Sequence, residues 1–144
     1  MIDQITVMIE NRPGRLSDVL TVLSAEQIDL EGITIAESSD FGVCRMILSD
    51  PERGKKALEK AGFITRKTEV LAVEVEDEPG SLERVFTLLR EEGINLQYVY
   101  AFGAKFKGRA MIILKSEENG RSEALLMQAG IHVLTSEELK ARLV

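Results

Sequence analysis

Apolar positions along the chain change period in a fixed order, and that order occurs twice. Ile5-Thr6-Val7-Met8-Ile9 is apolar and β-branched, which predicts a strand. Pro13-Gly14 ends it. Leu16, Val19, Leu20 and Leu23 then fall at i, i+3, i+4 and i+7, one apolar helical stripe that closes across residues 27–29. Two further apolar, β-rich segments, 30–37 and 43–48, are joined by Ser38-Ser39-Asp40-Phe41-Gly42, a hairpin composition, so they are expected to pair antiparallel. Asp50 and Pro51 supply a cap and a first helical residue, Ala57, Leu58 and Ala61 give that helix its apolar side, and Gly62 stops it. Residues 64–68 read as a fourth strand. The second round comprises 71–75, 81–92, 95–102, 109–114, 120–129 and 132–134, followed by a helix-start pattern at Ser136-Glu137-Glu138-Leu139.

The repetition is a duplication. At an offset of 66, residues 5–48 and 71–114 share 14 identities in 44 pairs, where chance gives about three. Leu16 matches Leu82, Val19 matches Val85, Leu23 matches Leu89 and Gly42 matches Gly108; after a two-residue insertion Ala61-Gly62 meets Ala129-Gly130. The expected domains are therefore 1–70 and 71–144. The order βαββαβ in each predicts an α+β chain of two ferredoxin-like units, each an antiparallel sheet with both helices on one face. A sheet covered on one side leaves a bare face and exposed edges, so a homo-oligomer, with a dimer as its simplest form, is expected.

Charge narrows the partners. Eighteen Lys and Arg stand against 24 Asp and Glu, for a net charge of −6, divided equally as nine basic and twelve acidic residues in each half. Such a chain is not drawn to nucleic acid or anionic membrane. Its first residues lack the basic and apolar regions of a secretory signal, and no apolar run has the length of a bilayer span, which points to the cytoplasm. One cysteine, Cys44, and one histidine, His132, are too few for a Cys/His metal cluster, and no metal or cofactor is expected. Cys44 aligns with Ala110 and reads as a small buried side chain; His132 aligns with Ile64 and has no nucleophile motif beside it, so no catalytic residues and no enzyme activity are assigned. Tyr98, Tyr100 and Phe102 share one sheet face with Phe106 close behind, a row that fills core, interface or pocket wall; Lys105, Lys107 and Arg109 read as solvated surface.

Asn11-Arg12-Pro13-Gly14-Arg15-Leu16 follows a strand and opens a helix, and Asp77-Glu78-Pro79-Gly80-Ser81-Leu82 does so again. With the βαββαβ order and the second-strand starts Ile28-Asp29-Leu30 and Ile94-Asn95-Leu96, each copy resembles an ACT domain, and the resemblance covers nearly the whole chain. It implies a regulatory protein that senses a free amino acid at ACT–ACT interfaces and modulates an enzyme of amino-acid metabolism. It also implies a pocket made by the loop before the first helix of one domain and the second strand of another. One such pocket would combine Asn11 to Leu16 with Asn95, Leu96, Gln97 and Tyr98; a second would combine Asp77 to Leu82 with Asp29 and Leu30. In serine-sensing members a histidine stands two positions before the motif's Asn, where this chain has Ile9, which argues against serine. The alternative is a ligand-free scaffolding subunit, similar to an acetolactate synthase small subunit.

The loop chemistry agrees independently. Glycine lets a ligand approach the backbone, and the N–H groups of Gly14, Arg15 and Leu16 at a helix start favour a carboxylate. A ligand ammonium group would seek the oxygens of Asn11 or Asp77. By charge alone the first loop, with Arg12, is the better carboxylate cradle than the second, with Asp77 and Glu78.

Overall fold

A computed structural model of the chain describes residues 1–102 and 107–142. It divides into two compact units, Asp3–Thr68 and the combination of Met1–Ile2 with Glu69–Val144. The first holds all but the first residue of β1 (Ile2–Glu10), α1 (Arg15–Ala25), β2 (Leu30–Glu37), β3 (Phe41–Leu48), α2 (Pro51–Lys60) and the beginning of β4 (Ile64–Glu76). The second holds the remainder of β4, α3 (Ser81–Glu91), β5 (Leu96–Ala101), β6 (Arg109–Ser116), α4 (Asn119–Gln128), β7 (His132–Val133) and α5 (Ser136–Arg142).

In the first unit β3 lies between β1 and β2, antiparallel to both, with Ile5 opposite Met46, Val7 opposite Cys44 and Ile35 also opposite Cys44. Alternation puts Ile5, Val7 and Ile9 on one face, where they pack with Cys44, Met46, Val19 and Leu23 of α1 and Leu58 of α2. Two helices on one face follow from that alternation. Asp50 caps α2 by accepting the Arg53 N–H at 3.2 Å, with Pro51 at the first helical position. Of the predicted stripe on α1, Val19 and Leu23 are buried, whereas Leu20 stands at the edge of the contact and stays 38% exposed.

The second unit repeats the plan in the order β7-β4-β6-β5. Leu71 opposes Leu114 and Val73 opposes Ile112, and these join Val75, Val85, Leu89, Ile94 and Leu126 in its core. The two strands expected at 64–68 and 71–75 are one strand of 13 residues, because no Gly or Pro between them breaks the extended backbone. Glu74 alternates with Val73 and Val75 and so leaves on the opposite face, yet it is only 6% exposed. On that face its carboxylate meets Arg109 Nε at 2.8 Å and the Arg142 guanidinium at the end of α5. Arg109 also approaches Glu76, at 3.2 Å. The expectation of a solvated Arg109 is thus corrected: it balances a buried carboxylate. Lys105 and Phe106 lie outside the described residues.

Helix α5 has no counterpart in the first unit. Thr135 and Glu138 start it with reciprocal bonds, the Glu138 N–H to Thr135 Oγ1 at 3.1 Å and the Thr135 N–H to Glu138 Oε2 at 2.9 Å. Leu139 anchors it by burial.

Candidate functional site

Each unit turns the same way between its first strand and first helix. In Arg12-Pro13-Gly14-Arg15 and in Glu78-Pro79-Gly80-Ser81 the glycine has φ 90° and ψ −16°, and the fourth N–H reaches the first carbonyl at 3.4 Å. That is a type II β-turn: proline presets the second residue, and the third needs positive φ, which only glycine adopts without strain. A Cβ on either glycine would meet nothing within 4 Å, so the backbone demands glycine while the space beside it stays open. Neither helix start has a capping side chain. The N–H groups of Leu16 and Leu82 therefore lie in a first turn that has neither intrahelical acceptors nor a side-chain cap, which favours an anion. The N–H of Arg15, expected among the donors, is engaged in the turn itself.

Beyond this shared frame the two turns differ. In the first unit the Asn11 side-chain amide donates to the Ser38 carbonyl at 3.2 Å, and Arg12 Nε donates to Glu10 Oε2 at 2.7 Å, which holds the Glu10 carboxyl below the usual carboxylate range. Arg15 reaches Asp18 Oδ2 at 3.0 Å and lays its guanidinium 4.5 Å from the centre of the Phe63 ring. In the second unit Ser81 stands for Arg15, Arg84 for Asp18 and Ile131 for Phe63. A cleft of about 410 Å³ lies there, lined in part by Glu76, Glu78, Ser81, Arg84, Arg109 and Ile131. Arg84 Nη2 donates to the Ala129 carbonyl at 3.0 Å. A second cleft, of about 310 Å³, touches the other side of the turn at Asp77, Pro79, Leu82, Ala110 and Ile112.

The sequence matches the ACT domain pair family over residues 1–143. The chain belongs to that family. Protein BT0572 of Bacteroides thetaiotaomicron, 30% identical, superposes with a TM-score of 0.89 over 96% of this chain and 94% of that one. The regulatory subunit of aspartate kinase from Thermus thermophilus, in its ligand-free form, shares the fold at 18% identity and a TM-score of 0.63, covering 88% of this chain and 91% of its own. The regulatory subunit of aspartate kinase from Thermus flavus does so at 18% identity and a TM-score of 0.60, with the same coverage. No curated protein matches the sequence.

Within each ACT unit the Pro-Gly turn and the start of the second strand lie at opposite ends of an 11-residue helix, about 16 Å apart along its axis. Asn11 to Leu16 and Asp29 to Leu30 therefore do not share a pocket within the first unit, nor do Asp77 to Leu82 and Asn95 to Tyr98 within the second. At the far end Asp29 exchanges backbone and side-chain bonds with Ser49, and Asn95 Nδ2 donates to Glu117 Oε1 at 3.2 Å. Asp29 and Leu30 line a cleft of about 440 Å³ with Leu20 and Ser24. Leu96 packs on the core, Gln97 is exposed, and Tyr98 stacks on Tyr100 with ring centres 6.5 Å apart. The residues that sequence reasoning missed are Phe63, Glu74, Glu76 and Arg84; comparing the copies position by position, with Arg15 replaced by Ser81 and Asp18 by Arg84, carried the signal for the last.

Among the described residues no group of three or more His, Cys, Asp and Glu is placed to hold a metal ion. Burial pushes the Cys44 thiol up to about 11, which keeps it protonated and a poor nucleophile. His132 is exposed, with Nε2 at 3.2 Å from Glu138. No helix among the described residues is long and apolar enough to cross a membrane.

Proposed function

We propose that this ACT domain pair is a cytoplasmic regulatory protein that binds a free amino acid at a Pro-Gly turn and passes that occupancy to an enzyme of amino-acid metabolism. The observation that carries the reading is the repeated type II turn whose glycine opens onto an uncapped helix start. A carboxylate there meets N–H donors and the positive end of a helix dipole, and the ammonium group finds Asn11 Oδ1 or the Asp77 carboxylate nearby. In this reading the second strands, Asp29-Leu30 and Asn95-Leu96-Gln97-Tyr98, are the walls that a neighbouring ACT unit brings to the turn.

Association with a second copy is part of the proposal. β2 is an edge strand of the first unit and β5 an edge strand of the second, and they expose Ile33, Ile35 and Val99, at 38%, 44% and 40%. Apolar edge strands of this kind invite pairing. For occupancy to act on a partner, the amino acid must prefer one arrangement of ACT units over another; equal affinity transmits nothing.

Thermal unfolding with each of the twenty amino acids in turn tests the reading. A ligand at one hundred times its Kd stabilises by about 2.7 kcal/mol and raises the midpoint by several degrees in a chain of this size. No shift with any of them contradicts amino-acid sensing and favours a scaffolding subunit.

A further inference from the structure

We propose that the cleft beside Ser81 is a binding site for a small zwitterion, and that its first-unit equivalent is closed by the chain's own Arg15. The inference rests on the amino-acid-binding reading for its ligand class alone; the location comes from the contrast between the copies.

The contrast is one of charge as much as of space. In the first unit every cation around the turn is matched from within: Arg12 with Glu10, Arg15 with Asp18. The Arg15 guanidinium sits over the Phe63 ring, 4.5 Å from its centre, with its Nε buried, and so ties the first turn of α1 to the segment that follows α2. In the second unit the side chains that built this stack are gone. Serine and isoleucine replace arginine and phenylalanine, and about 410 Å³ stays open, within the range of small-ligand clefts.

The walls then carry charges that sort into two sets. Glu74, Glu76 and Arg109 on the wall, with Arg142 outside the lining, form a balanced group, two negative and two positive, held together by ion pairs. On the rim Glu78 and Arg84 remain, one charge of each sign. Among the described residues neither takes part in an ion pair, and Arg84 spends one N–H on the neutral Ala129 carbonyl. A cleft with one uncommitted cation and one uncommitted anion is complementary to a molecule that carries both charges. The ligand carboxylate lies against Arg84 and the Ser81 hydroxyl at the helix start, and its ammonium group against Glu78, with Glu76 behind. A plain monocarboxylate or a plain amine satisfies half of this and leaves one rim charge facing its own kind.

The experiment is calorimetric titration of the full chain with each of the twenty amino acids, repeated on two variants. Ser81→Arg combined with Ile131→Phe rebuilds the first unit's stack inside the second. Arg84→Gln, at an exposed position, removes the cation and tests the site even if the double variant fails to fold. The expected result is saturable binding of one molecule per chain at this site, weakened about tenfold or more by each variant, as loss of a charge-assisted hydrogen bond requires. Binding unchanged by both variants overturns the assigned cleft while leaving amino-acid sensing intact. Two molecules per chain, one of them lost on rebuilding the stack, overturn the closure of the first unit. No binding of any amino acid to the unmodified chain overturns both readings.

Discussion

The two Pro-Gly turns share a backbone and differ in what surrounds it. Both glycines sit at φ 90° and ψ −16°, both helix starts lack a side-chain cap, and both lead into a helix buried through an equivalent pair, Val19 and Leu23 or Val85 and Leu89. Around the first turn the side chains satisfy one another; around the second they leave a cleft and a pair of rim charges. Duplication preserved the positions that the fold needs and released those that decide whether the turn is filled from inside or outside.

The shared part should respond alike in the two copies, and the divergent part should not. Leu23→Ala and Leu89→Ala each remove a fully buried leucine from equivalent cores and should each cost about 3 kcal/mol in denaturant unfolding. A large gap between them would show that the cores are not equivalent. Glu74→Ala strips the carboxylate from Arg109 and Arg142 and should cost about 2–3 kcal/mol, less than a fully sealed pair because both arginines reach water. Met8→Ala, at the matching position of the first unit, is exposed and should change stability by no more than about 0.5 kcal/mol. Gly14→Ala and Gly80→Ala should each cost about 1 kcal/mol through positive φ, equally, since neither Cβ meets a neighbour. One substitution should give a gain. Gln27 ends α1 at φ 56°, where the second copy has Gly93 at φ 71°, so Gln27→Gly should raise stability by about 0.5 kcal/mol.

The parts of this architecture that were legible in the sequence are those set by local period and repeated punctuation. The β-branched run at Ile5 to Ile9, the helical stripe from Leu16 and the Asp50-Pro51 cap each state their element, and the 66-residue offset states the duplication. The long β4 was not legible as one strand, because two copies of a unit suggest a boundary that the backbone between Thr68 and Leu71 does not mark. Glu74 was hidden for a different reason. Alternation places a glutamate on the solvent side of a strand, and its burial depends on Arg142, 68 positions along the chain, on a helix that the first copy lacks. The charge of Arg12 was visible but its commitment to Glu10 was not; net charge in a loop therefore pointed to the first turn, whereas paired and unpaired charge favours the second.

Amide chemical-shift mapping of the ¹⁵N-labelled chain tests the central claim most directly, using the amino acid that gives the largest thermal shift. Saturation should move the resonances of Gly80, Ser81, Leu82 and Arg84 and leave those of Gly14, Arg15 and Leu16 in place. Shifts centred on Gly14 to Leu16, or absent from both turns, would contradict it.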